Sequence, residues 1–274
     1  MSPKDLMLRH VALPGDHGSW VFLFSPLLIG LAAGGRGSVV SVYLVVATLA
    51  GFLIRQPLTI AVKIYSGRRA RHDLAAAVFW AGLYAAIGML HVTGLALRGF
   101  GYVLYLALPG VPVFAWYLYL VARRSERRQL LMELAATAVL SLSAPAAFWI
   151  GVGRPDPAGW ILWGLVWIQT TASIVYIYLR LEQRLLATRP DLGARLRMAL
   201  PALLFTTGNL LLVMLMGRRG LVPALLPLAY LPQWLESIRG TLRPALSAKP
   251  KTIGLEQLAV SVAFTILFVL IWSR

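Results

Sequence analysis

Long apolar runs, separated by short polar connections, recur along the whole chain. A helix needs about 20 mostly apolar residues to cross the hydrocarbon core of a bilayer. Nine runs approach this length, and they cover residues 19–34, 39–54, 74–97, 100–121, 130–151, 160–181, 196–216, 221–235 and 255–273. The pattern predicts an all-α fold, a polytopic bundle of nine transmembrane helices. A count of eight stays open, because the third and fourth runs meet at Arg98-Gly-Phe-Gly101 with almost no loop between them.

The polar connections are too short to form a second domain. The longest extend over roughly 15 to 20 residues, well below the size of an independent domain. Residues 1–274 are therefore expected to form a single transmembrane domain. The N-terminal stretch lacks a charged stub followed at once by a short apolar core and a small-residue cleavage site. The first apolar run is expected to stay in the mature protein.

The composition agrees with a bilayer environment and excludes several kinds of site. Of the 274 residues, 59% are hydrophobic and 13% are charged, and the mean hydropathy is +0.74, whereas soluble domains carry about 25% charged residues. The chain has no cysteine, which excludes disulfides, thiolate metal sites and iron–sulfur clusters. The four histidines form no i, i+4 pair and no HExxH motif, so neither a metal nor a cofactor is expected.

The distribution of basic residues predicts the orientation of the bundle. With the N-terminus in the cytoplasm, 20 of the 26 Lys and Arg residues fall on the cytoplasmic side, in agreement with the positive-inside rule. The arginines flank apolar runs and do not form a patch interleaved with aromatic residues. The net charge of +16 therefore indicates contact with anionic membrane lipids and not with nucleic acid.

The densest motif is Pro14-Gly-Asp-His-Gly-Ser-Trp20, at the predicted cytoplasmic start of the first helix. One interpretation makes Asp16 a helix cap and Trp20 an anchor in the interfacial aromatic belt. In the other interpretation, Asp16 and His17 contact a polar head group or act as an acid/base pair, and the glycines let the backbone approach a ligand closely. The residues alone leave both interpretations open.

A second candidate is the pair Arg55 and Gln56, at the cytoplasmic end of the second run. Arginine side chains bind phosphate and carboxylate groups with two parallel hydrogen bonds. Arg68 and Arg69 are expected to be membrane anchors whose charged ends extend to the lipid headgroups. Arg55 directly follows an apolar helix end, so it is equally compatible with an anchor and with a ligand contact.

The short turn at residues 34–37 predicts that the first two helices pack as antiparallel neighbours. Their cytoplasmic ends would then lie side by side. This arrangement would place Asp16 and His17 beside Arg55 and Gln56, where the aspartate pairs with the guanidinium.

Polar residues are few inside the apolar runs, and such residues usually face the interior of a helical bundle. Serine and threonine are expected to support helix packing. The better candidates for a ligand site are Gln169, Asn209, Glu236 and Glu256. Gly30 and Gly34 form a GxxxG pattern, which indicates close packing of two helices.

Three stretches carry a resemblance to a known family: LPGDHGSWVFLFSPLLIGLAAG, RQPL and KPKTIGLEQLAVSVAF. Together they resemble the YwiC-like family of bacterial integral membrane proteins. The resemblance implies a multi-pass protein of the bacterial cell (inner) membrane. It implies no particular biochemical activity.

A more distant likeness is to the UbiA prenyltransferase superfamily, in which aspartate-rich motifs at the cytoplasmic ends of the second and sixth helices bind magnesium and a prenyl diphosphate. The corresponding stretches here are LIRQPLTIAVKIYSGRRARHD and VYIYLRLEQRLLATRPD, and neither contains an NDxxDxxxD-like cluster. Arg55, Arg180 and Arg184 stand roughly where the acidic residues would be. The likeness therefore implies an anion held directly by arginines, without magnesium.

Together these observations predict a UbiA-like bundle with a cavity open to the cytoplasmic leaflet. This cavity binds an amphipathic ligand with an anionic head, a prenyl or quinone-like lipid. The predicted ligand-binding residues are Asp16, His17, Arg55, Gln56, Arg180, Arg184, Asn209 and Glu236. Whether the protein also transfers the lipid group, as a divergent transferase, stays open. Two other hypotheses are a small-anion transporter or permease and a non-catalytic partner in the assembly of a membrane enzyme.

Overall fold

A computed structural model describes residues 6–15, 18–35, 37–126 and 129–273. All regular structure in these residues is helical, which confirms the predicted all-α fold. The helices of ten residues or more are α1 Ser19–Gly34, α2 Val39–Leu53, α3 Arg55–Tyr65, α4 Leu74–Leu95, α5 Gly110–Ala122, α6 Leu130–Ser141, α7 Ser143–Val152, α8 Pro157–Gln183, α9 Leu192–Arg218, α10 Pro227–Leu242 and α11 Pro250–Trp272. Shorter helical turns cover Arg9–Ala12, Arg71–Asp73, Ala96–Phe100 and Gly101–Ala107.

Six helical segments in the described part of the chain are long and apolar enough to cross a membrane, which makes the chain a multi-pass membrane protein. They are Val39–Tyr65, Arg71–Ala107, Leu130–Val152, Pro157–Gln183, Leu192–Arg218 and Pro250–Trp272. The helices α1 and α5 are apolar but shorter, and α10 has 16 residues with charged positions near its end. Each of the nine predicted runs overlaps a helix, and nine as the number of membrane spans stays a prediction.

The second predicted run does not end at residue 54, because α3 follows α2 directly and extends the helical segment to Tyr65. Pro57 lies in the first turn of α3, where a proline is tolerated because no intrahelical partner for its missing N–H is needed. Ile60 and Ile64 are buried together with Pro57. The apolar face of α3 therefore packs on the bundle while its other face stays partly exposed.

The fourth predicted run, residues 100–121, is not one continuous helix. Gly99 has a φ angle of +84°, which interrupts the regular helix after α4, and a 3₁₀ turn follows over Gly101–Ala107. The helix α5 begins only at Gly110. Glycine adopts this left-handed backbone conformation without the steric cost that a side chain would add, so the predicted turn lies where glycine allows it.

Polar side chains cap three of the helices at their N-termini. Ser38 and Ser41 form a reciprocal capping box at α2. Asp156 accepts a hydrogen bond from the backbone N–H of Ala158 at the start of α8 (2.9 Å), and Asp191 caps α9 in the same way. These contacts satisfy backbone donors that have no partner within the helix.

The helix α7 lies at the centre of the fold, and every residue from Ser143 to Gly151 is buried. The helix α1 crosses α7 at backbone contact: a Cβ atom at Gly30 would lie 2.2 Å from the carbonyl oxygen of Ala144. Gly34 faces Gly151 in the same crossing. The close packing predicted from the GxxxG pattern is therefore present, and its partner is α7.

The expectation that α1 and α2 pack as neighbours along their length is wrong. The helix α1 packs chiefly against α7 and α11, whereas α2 packs chiefly against α4. The short turn at residues 34–37 constrains only one end of each helix, and the glycine faces of α1 fit α7 more closely. The predicted cytoplasmic ends still approach each other, because the rings of Trp20 and Phe52 lie 5.1 Å apart.

Candidate functional site

An N-terminal segment, residues 6–13, packs against the predicted cytoplasmic ends of α3 and α4. Three side chains donate hydrogen bonds to its backbone carbonyls: Trp80 to Leu6 (2.9 Å), Gln56 to His10 (2.9 Å) and Tyr84 to Ala12 (3.1 Å). Val11 is fully buried against Ile60, Ile64 and two alanines of α4. The segment is thus held by apolar packing and by hydrogen bonds to its main chain.

The side chain of His10 adds a polar contact to this attachment. Its Nε2 lies 3.2 Å from Oδ2 of Asp73, a carboxylate with no exposed surface. The guanidinium of Arg69 donates from Nε to the same oxygen at 2.7 Å. His72 Nε2 lies 3.1 Å from the other oxygen, Oδ1. Three basic side chains therefore surround one buried carboxylate, as burial of such a charge requires.

A pocket of about 590 Å³ opens between this segment and the start of α1. Its lining is mostly apolar and includes two basic side chains: Met7, Leu8, Arg9, His10, Leu13, Pro14, Gly15 and Trp20. The volume falls within the range of about 300 to 1,000 Å³ that is common for small-molecule sites. The pocket therefore combines an apolar wall with the guanidinium of Arg9 and the imidazole of His10 at one end of the bundle.

Two of the predicted site residues, Arg55 and Gln56, lie close to this pocket. The guanidinium of Arg55 lies over the ring of Phe52, 5.2 Å from its centre. The ring of Phe52 in turn contacts Trp20, which lines the pocket. Gln56 contacts the backbone of His10, another lining residue. Asp16 and His17 lie outside the described residues, between Gly15 of the pocket and the start of α1.

The other predicted site residues lie among the C-terminal helices. Arg180 is buried, and its Nη1 donates to the carbonyl of Arg243 (2.8 Å) and to Gln183 (3.1 Å). Arg184 donates from Nε to the carbonyl of Ala248 (3.1 Å). Both arginines thus attach the end of α8 to the connection between α10 and α11. That one ligand contacts both Arg55 and these arginines stays a prediction.

Glu236 belongs to a network of charges at the same end of the C-terminal helices. Its Oε1 accepts a hydrogen bond from the hydroxyl of Tyr176 (2.8 Å), and its Oε2 lies 3.5 Å from Arg239. Arg239 also donates to Glu256 (2.9 Å), which lies 3.8 Å from Arg180. Two arginines and two glutamates therefore balance each other in charge.

Asn209 in α9 has a different environment. Its side-chain amide donates to the backbone carbonyl of Ile168 in α8 (2.8 Å), and the residue is buried. A hydrogen bond of this kind fixes one helix against another inside a bundle. The described contacts of Asn209 thus join α9 to α8.

Comparison with known proteins relates part of the chain to a protein family. The model of the YwiC-like protein family matches residues 13–148. This N-terminal half belongs to the YwiC-like family. A protein named "Uncharacterized protein YwiC", from Bacillus subtilis (strain 168), is 25% identical over 150 residues, which are 55% of this chain and 59% of that protein. No solved structure matches the chain, so the UbiA-like fold stays a prediction.

The YwiC-like region contains one part of the candidate site and leaves out the other. Leu13, Trp20, Arg55 and Gln56 fall within it, as does the first part of the central helix α7, up to residue 148. The arginines and glutamates of the C-terminal network lie after residue 148. The pocket lining from Leu13 to Trp20 thus lies within the matched region, and the lining from Met7 to His10 precedes it.

Several residues of the C-terminal network were not predicted as site residues. They are Tyr176, Gln183, Gln233, Arg239 and Gln257. A signal was present in the sequence, because the polar positions of α8 recur at intervals of three and four residues. They are Gln169, Ser173, Tyr176, Arg180 and Gln183, and this spacing places them on one face of a helix.

Proposed function

We propose that this membrane protein binds an amphipathic molecule with an anionic head, a prenyl or quinone-like lipid, in the pocket between the N-terminal segment and α1. The observation that carries the proposal is the lining of the pocket. Its wall is formed by Met7, Leu8, Leu13 and Trp20, and Arg9 contributes an exposed positive charge. Such a surface matches a molecule that is apolar along its length and negatively charged at one end.

Two further basic side chains lie in or beside this pocket. His10 is a lining residue, and Arg55 lies behind the aromatic pair formed by Trp20 and Phe52. Arginine binds phosphate through two donors in a fixed plane, and the aromatic rings offer a rigid apolar contact for a lipid chain. The proposed binding mode holds the anion by side-chain cations. It needs no magnesium, in contrast to the aspartate-rich motifs of the UbiA superfamily.

The proposal can be tested with two matched lipids and the purified full chain. Geranylgeranyl diphosphate and geranylgeraniol share the apolar chain and differ in the charged head. We expect the diphosphate to bind more tightly than the alcohol, as measured by native mass spectrometry in a mild detergent. Because a hydrogen bond to a charged group contributes about 1.5 to 3 kcal/mol, Arg9→Ala and Arg55→Ala should each weaken diphosphate binding by about tenfold or more.

Arg197→Ala is the matched control, because Arg197 is exposed and predicted on the same side of the membrane, but lies in α9, which contributes neither to the pocket lining nor to the contact of Trp20 with Phe52. This variant should bind the diphosphate like the unmodified protein. Equal binding of the two lipids, or equal loss in all three variants, would contradict the proposal. Such results would favour a small-anion permease or an assembly partner, the two other hypotheses.

A further inference from the structure

The C-terminal helices enclose a polar stripe that the proposed lipid site does not use. Gln169, Ser173, Tyr176, Arg180 and Gln183 follow one face of α8, and all five are buried. At 1.5 Å per residue, the stripe extends about 21 Å along the helix axis. The hydrocarbon core of a bilayer is about 30 Å thick. The stripe therefore reaches far into the part of the bundle that lies within the membrane.

At the Gln183 end of the stripe, most polar groups satisfy each other, and the exception in the described residues is the Nε of Arg180. Tyr176 donates to Glu236, and the guanidinium of Arg180 donates to backbone carbonyls and to Gln183. Gln183 donates to the carbonyl of Gly240 (3.0 Å) and accepts from the backbone of Ala245 (3.2 Å). This end is a packed hydrogen-bond network.

Further along the stripe, three glutamines are incompletely satisfied. Gln257 of α11 donates to Ser173 of α8 (2.7 Å) and to the side-chain oxygen of Gln233 of α10. The remaining polar atoms, Gln233 Nε2 and Gln257 Oε1, are buried without a hydrogen-bond partner in the described structure. The same holds for Nε2 of Gln169, one turn from Ser173 on the same face. Each of the three residues is at most 4% exposed.

These three atoms are two donors and one acceptor, which is the complement of a water molecule. A polar group that stays unpaired within a membrane costs several kcal/mol, and buried polar groups in native proteins are normally paired with protein or with ordered water. We propose that Gln169, Gln233 and Gln257 form a binding site for internal water between α8, α10 and α11. The inference is independent of the lipid site.

The site is closed on the side away from Glu236. The next residue on the same face of α8 is Leu165, which is 2% exposed, and its carbonyl accepts a hydrogen bond from the hydroxyl of Tyr230 (2.9 Å). The ring of Tyr230 packs edge-on against Phe264. Beyond Gln169 the face of α8 is therefore apolar. The water site is adjacent to the charged network at one end only.

Hydrogen exchange of single thiols tests this inference, since the native chain has no cysteine. Ser173→Cys places an S–H group at the proposed water site, and Leu165→Cys places one on the same face two turns away. Infrared spectroscopy follows the replacement of S–H by S–D after transfer of the full-length protein into D₂O. We expect the thiol at position 173 to exchange at least about tenfold faster, because exchange at position 165 requires a local opening of packed helices.

A second pair on α10 repeats the comparison in case the first variant fails to fold. Ser237 donates to the carbonyl of Gln233 (3.0 Å) and Ala229 lies two turns away in the apolar core; both are fully buried. Ser237→Cys should exchange faster than Ala229→Cys by a similar factor. Equally slow exchange within both pairs would show a dry site and overturn the inference. Equally fast exchange within both pairs would also overturn it, because the water would then not be specific to the glutamines.

Discussion

Substitution of Gly30 by alanine should separate α1 from α7. The added Cβ would lie 2.2 Å from the carbonyl oxygen of Ala144 and 2.9 Å from its Cα. Both atoms belong to the backbone, so no side-chain rotation relieves the clash. An ordinary van der Waals contact begins at 3.4 Å, so the two helices must move apart by about 1 Å at their closest point. Overpacking of this kind costs about 1 to 3 kcal/mol of unfolding free energy.

Gly164 is the matched control, because it lies within a membrane helix and nothing lies within 4 Å of a Cβ atom built on it. Alanine is preferred over glycine inside a helix by about 0.5 to 1 kcal/mol, so Gly164→Ala should be neutral or slightly stabilising. The same helix preference applies to Gly30 in α1, so the two variants should differ by the cost of overpacking, about 1 to 3 kcal/mol. Unfolding by sodium dodecyl sulfate in mixed micelles, followed by tryptophan fluorescence, measures this difference. Equal stability of the two variants would contradict the close crossing of α1 and α7 at Gly30.

Three further predictions follow from other parts of the molecule. A cysteine at position 154 should react with a membrane-impermeant maleimide in intact cells, and one at position 123 only after permeabilisation; the opposite pattern would reverse the predicted orientation. Hydrogen bonds from Arg68 hold the pKa of Glu126 below its ordinary value of 4.5, so the pair stabilises the fold at neutral pH and this contribution is lost as the pH falls through the lowered pKa. Glu126→Gln should therefore lower the free energy of unfolding by about 1 kcal/mol at pH 7, and by less in acid, as measured by unfolding in sodium dodecyl sulfate. Glu182→Gln, at an exposed position, should leave the free energy of unfolding at pH 7 nearly unchanged. Elemental analysis of the purified protein should find no stoichiometric transition metal, and EDTA should leave diphosphate binding unchanged.

The sequence predicted the helical class of the fold well, because apolar runs long enough to span a bilayer leave few alternatives. The ends of individual helices and their packing partners were harder to predict. The second apolar run ends at residue 54, but a proline in a first helical turn does not stop the chain, and α3 continues directly from α2. The choice of α7 as the partner of α1 depended on the face that Gly30 presents. Chain order suggested α2 instead, and it carries no information on that rotation.

The candidate site, too, was predictable from the sequence only in part. The proximity of Arg55 to the start of α1 was predictable from two helix ends on the same side of the membrane, and the contact between Trp20 and Phe52 provides it. The pocket itself was not predictable. It depends on how residues 6–13 fold back across α3 and α4, and those residues lie outside the apolar runs. To predict that the buried glutamines of the C-terminal helices come together, the rotation of α8, α10 and α11 relative to one another would have to be known.

The attachment of residues 6–13 by their main chain leaves some side chains of this segment free to vary. Trp80, Gln56 and Tyr84 bind backbone carbonyls, which every residue type provides. The side chains of Met7 and Arg9 can therefore change without loosening the segment, and with them the chemistry of the pocket. Leu8 and His10 line the pocket and also hold the segment, whereas Met7 and Arg9 are exposed lining residues. Substitution of Met7 and Arg9 should therefore change the proposed ligand preference without rebuilding the fold.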